Sequence, residues 1–358
     1  MAHHESIEDL ADALLGSMTP KSRCALVFAS NTTGKTRLAQ HLKERDPRGV
    51  VLYNAFVEDV FTWDNEQIVL KMNLDSELLN TIETQGLDGE IVENFRAFTH
   101  DKIEPLLDFE NGEVRFGIHK GDDASADSVK ISRAEESIFI WCVYYSVLSE
   151  AISTLSDSPE LRTTTDYDFL NLAVIDDPVS SMDDVRIVSV AMALADLIKR
   201  SADLDIKFIV TTHHALFFNV LFNSIHRAKG MNNQAFTLER NLELGWRLEK
   251  QGHDSPFSYH LGIIRNIEDA ISQNSIQRIH FNQFRTLLEK TANFLGYEQG
   301  WGVLLAGPDA KVLTRILNLY SHDRFSDIDS SEVSDEYKKA LTTEFHTFLN
   351  EFRWGFKS

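Results

Sequence analysis

Four groups of residues in this 358-residue chain have the types and spacing to do chemistry. The first is Ala29-Ser-Asn31-Thr32-Thr33-Gly34-Lys35-Thr36, which follows the apolar run Cys24-Ala-Leu-Val-Phe and opens a helical stretch. A loop in that setting turns consecutive backbone N–H groups and a helix N-terminus onto phosphates. Asn31 to Gly34 would line the cradle, Lys35 would reach the terminal phosphates of a nucleoside triphosphate, and Thr36 would hold Mg2+. The first glycine of the usual Gly-x4-Gly-Lys-Thr pattern is Ala29 here. The second group is Val174-Ile-Asp176-Asp177-Pro178, two acids at the end of an apolar run. Asp176 is placed to coordinate the metal, and Asp177 to orient or polarise an attacking water. The third is His213, which ends the run Lys207-Phe-Ile-Val-Thr-Thr212 close to where a γ-phosphate would lie. The fourth lies in the tail, where Glu289 follows Arg285 by four residues and His322 comes 33 residues later. Arg285 and Glu289 share one helix face. The same spacing also suits an ordinary surface ion pair.

These groups need a scaffold. Residues 24–29, 171–176 and 207–212 read as buried strands, and Val185 to Ser201 has the apolar spacing of a helix. Strand, helix and strand in that order make a βαβ unit, so a parallel sheet carrying helices is expected. Between Thr36 and Ser132 the character is mixed. Asp64 to Val92 has helical propensity and many acids, which predicts a short helical insertion at about 60–130. After Asn241 the pattern turns helical and polar, over Ser258–Ser272, Asn282–Leu295, Lys311–Ser321 and Ser334–Phe352. The turn-rich Gly252-His-Asp-Ser-Pro256 sets a boundary between an α/β domain at 1–255 and an all-α domain at 256–358.

Composition narrows the classes. The chain carries 35 Lys+Arg against 55 Asp+Glu, a formal net charge of −20, and 43% of it is hydrophobic, as in an ordinary globular protein. The acidic excess falls almost wholly before His260, which argues against broad non-specific nucleic-acid binding by the front of the chain. Cys24 and Cys142 make neither a disulfide framework nor a CxxC metal clip. The longest apolar run, Ile138 to Leu148, is a buried-helix length, and no secretory signal is evident, so a cytoplasmic protein with no membrane partner is expected.

The order of the first three groups resembles the ABC-type ATPases, in particular their SMC-like branch. The resemblance implies ATP or another NTP as ligand, with Mg2+. It assigns Asp176 as the Walker B acid, Asp177 as the catalytic acid where the family usually has Glu, Ser180-Ser-Met-Asp183 as the D-loop and His213 as the switch histidine. Ser132-Arg-Ala-Glu135 matches the signature Ser-x-Gly-Glu, with Ala134 in the glycine's place. Sites of this family close between head-to-tail copies, so a homodimer or higher oligomer is implied. The span between Thr36 and Ser132 is too short for a long coiled coil.

Two strings are more specific. Asn31-Thr-Thr-Gly-Lys-Thr-Arg-Leu38 looks like the loop of PrrC-type anticodon nucleases, with a glycine lost at Thr32. Asp176-Asp-Pro-Val-Ser-Ser-Met-Asp183 is close to their Asp-Asp-Pro-Val-Ser-Ser-Leu-Asp, a string shared with the related RloC proteins. Proteins of the PrrC-like family hold an Arg, a Glu four residues on and a His some thirty residues further, which Arg285, Glu289 and His322 match. The resemblance implies metal-independent cleavage of tRNA in the anticodon loop, antiphage defence, and silencing by a partner such as a type I restriction-modification complex. His322 also ends an Arg315-x6-His string that fits the motif of HEPN ribonucleases, so the tail is expected to be HEPN-like and the histidine's partner stays open. Another reading is an ATPase that senses or scaffolds and activates a separate effector. A third, an SMC-like DNA-binding ATPase, fits the acidic charge poorly. His260, His280 and His346 have no motif context and read as surface or packing residues.

Overall fold

A computed structural model describes residues 3–54, 60–99, 103–118, 128–226, 233–241, 245–251, 258–297, 299–321 and 333–352. The chain divides into two units, Met1–Asp254 and Ser255–Ser358.

In the first unit the described elements run in order β1 (His3–His4), α1 (Ile7–Ser17), β2 (Cys24–Ala29), α2 (Lys35–Arg45), β3 (Val50–Asn54), β4 (Phe61–Asp64), β5 (Val69–Met72), α3 (Glu77–Gln85) and α4 (Asp88–Thr99). They continue with β6 (Ile103–Asp108), β7 (Glu113–Ile118), α5 (Arg133–Ser156), β8 (Leu172–Asp176), α6 (Asp184–Arg200), β9 (Lys207–Thr212), α7 (Ala215–His226), β10 (Asn233–Asn241) and β11 (Gly245–Lys250). The main sheet has the order β1-β11-β10-β2-β9-β8-β3. From β10 to β3 all pairings are parallel, while β11 joins β10 and β1 antiparallel. Strands buried on both faces read as unbroken apolar runs. All six residues of β2 and all five of β8 are buried, which is why Cys24-Ala-Leu-Val-Phe-Ala and Leu172-Ala-Val-Ile-Asp contain no polar alternation.

The segment between Thr36 and Ser132 differs from the expected helical insertion. Two helices are present, α3 and α4, but so is a four-stranded antiparallel sheet of order β4-β5-β7-β6. A second correction concerns residues after Asn241, where β11 pairs with β10 from Gly245 to Lys250 before the helical region begins. Trp246 and Leu248 alternate with Arg247 and Glu249, the period of a strand with one buried face.

Helix α5 joins the two sheets. Phe139 packs edge-on against Phe61 at 5.5 Å and Phe116 at 5.4 Å on the inserted sheet side, while Trp141 meets Tyr53 of β3 at 5.6 Å. A helix apolar all round must be enclosed. This one spans 24 residues, so a stretch long and apolar enough to cross a membrane exists after all, against the expectation from Ile138–Leu148 alone. Burial of 67% of that stretch inside the unit accounts for its composition.

Every α-helix or strand described in the second unit is a helix: α8 (Ser258–Ser272), α9 (Arg278–Leu295), α10 (Ala310–Ser321) and α11 (Asp335–Phe352). Their core is aromatic at its centre, with Phe284 packed edge-on against Phe345 at 5.4 Å and Phe348 at 5.7 Å. Among the described residues there, one acidic side chain is fully buried. Glu344 accepts from the backbone N–H of Gly307 at 3.0 Å and of Asp309 at 2.8 Å, tying α11 to the residues that lead into α10. A Cβ at Gly307 would lie 2.3 Å from that carboxylate, so a larger residue there would displace it from its backbone donors.

Candidate functional site

The parallel strands deliver their carboxyl ends to one edge, where ligands bind in open α/β sheets. In register, Phe28 of β2 lies beside Thr212 of β9, and Asp176 of β8 lies between Thr211 of β9 and Asn54 of β3. The loop 30–34 leaves β2 at this edge and enters α2 through Gly34, whose φ of 98° is left-handed. Thr32 is also left-handed at 69°, a conformation that costs a β-branched residue more than the glycine expected there. Thr33 Oγ1 bonds Ser30 O at 2.8 Å and holds the turn.

An open cavity of about 260 Å3 lies here, lined by Asn31, Thr32, Gly34, Lys35, Thr36, Arg37, Asn54, Asp176 and Asp177. The Lys35 ammonium sits 3.1 Å from Ala29 O, 3.2 Å from Ser30 O and 3.4 Å from Asn31 Oδ1, and 3.7 Å from the Asp177 carboxylate. Thr36 Oγ1 donates to Asp176 Oδ2 at 2.6 Å, and Thr211 Oγ1 to Asp176 Oδ1 at 2.5 Å. Asp177, at a φ of 51°, receives His213 Nδ1 at 2.5 Å and the Thr212 hydroxyl at 3.3 Å. The two neighbouring acids are pushed in opposite directions. Burial raises Asp176 above the ordinary carboxylate value, against the pull of its two hydroxyl donors. Burial also pushes Asp177 up, but the His213 hydrogen bond and charge together with Lys35 outweigh it and leave that carboxyl below its usual range.

The donor set fits Mg2+ held jointly with a phosphate. A threonine hydroxyl and one carboxylate oxygen stand side by side, and Mg2+ typically takes one or two carboxylates plus phosphate oxygens and water. Among the described residues no cluster of three or more His, Cys, Asp or Glu could hold a metal without such a ligand.

The remaining residues singled out from sequence are placed elsewhere. Ser132 and Glu135 form a capping box at the start of α5, with Glu135 Oε2 accepting from Ser132 N at 2.6 Å, and do not line the cavity. Asp183 caps α6 through Arg186 N at 3.0 Å and also pairs with the Arg186 guanidinium. In the second unit the Arg285 Nε donates to Glu289 Oε1 at 2.7 Å, and its Nη1 to Leu317 O and Asn318 Oδ1, both at 3.3 Å. The guanidinium carbon of Arg285 lies 5.3 Å from the Trp301 ring centre. His322 falls outside the described residues, and so does its geometry toward Arg285, Glu289 or Arg315. His280 has a local role, its Nδ1 accepting from Gln277 N at 2.8 Å to cap α9.

Several contributors were not singled out from sequence, among them Arg37 and Asn54 in the cavity lining. Thr211 and Thr212 hold the two acids, and a Thr-Thr pair directly before the strand-end histidine was a readable sign of it. Trp246 donates its Nε1 to Thr33 O at 2.7 Å, bracing the loop from β11.

Comparison with protein-family models finds no match. Among curated proteins, the chain is 37% identical over 331 aligned residues to the anticodon nuclease of Escherichia coli, covering 84% of this chain and 82% of that one. The chain belongs to the anticodon nuclease family. A match over 84% of the sequence is longer than the first unit, residues 1–254, could supply, so it enters the helical unit. Solved structures give looser likenesses. An RNase-L inhibitor superposes with a TM-score of 0.35 at 10% identity, over 70% of this chain and 38% of its own. An SMC head domain from Thermotoga maritima reaches 0.31 at 12% identity, over 64% of this chain and 90% of its own. Superpositions this loose carry no weight for function.

Proposed function

We propose that this anticodon nuclease family member is a nucleotide-gated endoribonuclease that cuts tRNA in the anticodon loop. The first unit acts as an ABC-type ATPase switch and the second, helical and HEPN-like, as the nuclease. The observation that carries the reading is the 37% identity to an anticodon nuclease across both units, joined to a cavity lined by Lys35, Thr36, Asp176 and Asp177, the last hydrogen-bonded to His213.

In the switch, Asn31 to Gly34 cradle the phosphates of ATP or another NTP, and Lys35 neutralises their charge. Thr36 and Asp176 would hold Mg2+, which would supply charge screening for the phosphates. His213 and Lys35 hold the Asp177 carboxylate in the cavity's lining, where it orients a water. Ser132, Glu135 and Asp183 act across a head-to-tail dimer, completing the site of the second copy.

In the nuclease, a general base removes the proton of a ribose 2′-OH, whose oxygen attacks the adjacent phosphorus. A general acid protonates the departing 5′-oxygen, leaving a 2′,3′-cyclic phosphate and a 5′-hydroxyl. His322 and Glu289 share the acid and base roles, and Arg285 stabilises charge on the phosphoryl oxygens. No metal enters this chemistry. The resemblance extends the proposal to a cytoplasmic antiphage role and to silencing by a type I restriction-modification complex or another defence partner.

The test is a denaturing gel of tRNA from cells expressing the wild type or His322→Ala, with mapping of fragment ends. Fragments cut in an anticodon loop, carrying cyclic-phosphate ends and confined to the wild type, are expected. Intact tRNA in cells, and again with purified protein, ATP and Mg2+, would overturn the nuclease and leave an ATPase that signals to a separate effector.

A further inference from the structure

Charge is sorted within the helical unit. Helices α9 and α10 together carry five Lys and Arg and one acid, Glu289, whereas α8 and α11 carry three basic residues and six acids. Such sorting stands out in a chain of net charge −20.

Four of the five basic residues on α9 and α10 lie on two faces that form one seam. On α9, Arg278, Asn282, Arg285 and Glu289 recur at spacings of four, three and four, which is a single helix face. On α10, Lys311, Arg315 and Asn318 do the same. The two faces meet where Asn318 Oδ1 accepts from Arg285, and the Arg278 guanidinium reaches the other side of α10, 4.8 Å from the Tyr320 ring centre. Arg278, Asn282, Lys311, Arg315 and Asn318 are exposed. Among the described residues no carboxylate pairs with Arg278, Lys311 or Arg315, while Arg285 holds the one acid of the seam.

We propose that the α9–α10 seam is the docking surface for an RNA sugar-phosphate backbone, with Arg278, Lys311 and Arg315 as phosphate-gripping residues around the Arg285–Glu289 pair. The proposal rests on the nuclease reading above and names the surface through which that site takes its substrate. A polyanion is the chemistry such a surface fits, since each phosphate neutralised by Lys or Arg releases condensed counterions. Two of the arginines are seated on rings, Arg278 on Tyr320 and Arg285 on Trp301, which fixes their long side chains before the ligand arrives. Asn282 and Asn318 add neutral hydrogen-bonding groups on the same faces, of the kind that contact sugar and phosphate oxygens.

The experiment measures binding of end-labelled bulk tRNA to the full chain carrying His322→Ala, so that the probe is not consumed, over a series of salt concentrations. Adding Arg278→Gln, Lys311→Gln and Arg315→Gln together is expected to flatten the slope of log affinity against log salt by about 2–3, at about 0.7–0.9 for each phosphate no longer neutralised. The matched control is Lys338→Gln with Lys339→Gln on α11, which leaves the slope unchanged. An unaltered slope in the triple variant, an equal loss in the control, or no tRNA binding by the parent each overturns the surface. The chain with His322 intact, assayed in parallel for cleavage, separates this result from the underlying reading. Cleavage with an unaltered slope sinks the surface alone; tRNA held through the seam but never cut sinks the nuclease and leaves the surface standing.

Discussion

Thr211→Val tests whether the buried acid at the heart of the cavity depends on its neighbours as the geometry requires. Valine keeps the shape of threonine and removes only the hydroxyl. Thr211 is fully buried, and Asp176 is 2% exposed. Of the two hydroxyls that serve this carboxylate, the substitution deletes the one at 2.5 Å and leaves Thr36 at 2.6 Å. A hydrogen bond to a buried charge is worth about 1.5–3 kcal/mol. In a unit of about 250 residues each kcal/mol moves the midpoint by roughly 2–4 °C, so the variant should melt about 3–12 °C lower near neutral pH. The sign of the pH dependence follows from Asp176, whose folded pKa is raised chiefly by burial. Losing a donor to the ionised form raises it further. The deficit is therefore full where Asp176 is ionised in the folded protein, and it shrinks as pH falls through the raised pKa toward the unfolded value. Melting curves of both proteins from neutral pH down toward the ordinary carboxylate range read this directly. Identical midpoints, or a deficit that widens on acidification, would refute the reasoning.

Asp176→Asn removes the charge that the fold holds at a cost. Its melting point should rise at neutral pH and converge with the wild type as pH falls, while titration calorimetry shows that Mg2+ no longer strengthens nucleotide binding. Trp246→Phe keeps a ring in the core but deletes the bond to Thr33 O. Nucleotide affinity, read by the same titration, should drop about fivefold for a loss of about 1 kcal/mol. Glu344→Gln turns one amide N–H against the backbone donors of Gly307 and Asp309. Hydrogen exchange over residues 258–352 should report about 1.5–3 kcal/mol lost there, with nucleotide affinity unaltered.

The sequence disclosed most of the cavity because its groups sit at strand ends in short strings. Gly34-Lys35-Thr36, Asp176-Asp177 and His213 each follow an apolar run that could only be a buried strand, and the parallel order then brings them to one edge. The helices of the second unit were legible from period alone, since each presents an apolar stripe to the Phe284 core. The inserted sheet was not. β4 and β5 are four residues each, too short to show a period, and β5 pairs with β7 about forty positions away. Helical propensity over Asp64–Val92 was genuine for α3 and α4 and hid the strands on either side. The brace from Trp246 had no motif to announce it, because a tryptophan in an alternating strand is ordinary core by composition. Ser132 and Glu135 show the converse limit, since the string that matches a signature also makes an ordinary helix cap.

The brace has a consequence for synthesis. Thr33 and Trp246 are 213 positions apart, and among the described strands β1 near the N-terminus pairs with β11 alone. At about 5–20 residues per second, roughly 10–40 s separate translation of the loop at 30–34 from translation of the tryptophan that steadies it. Until then the emerging chain has the loop residues without the last strands of the sheet around them. The brace on the loop can thus form only once nearly the whole first unit has been made, long after the residues that line the cavity.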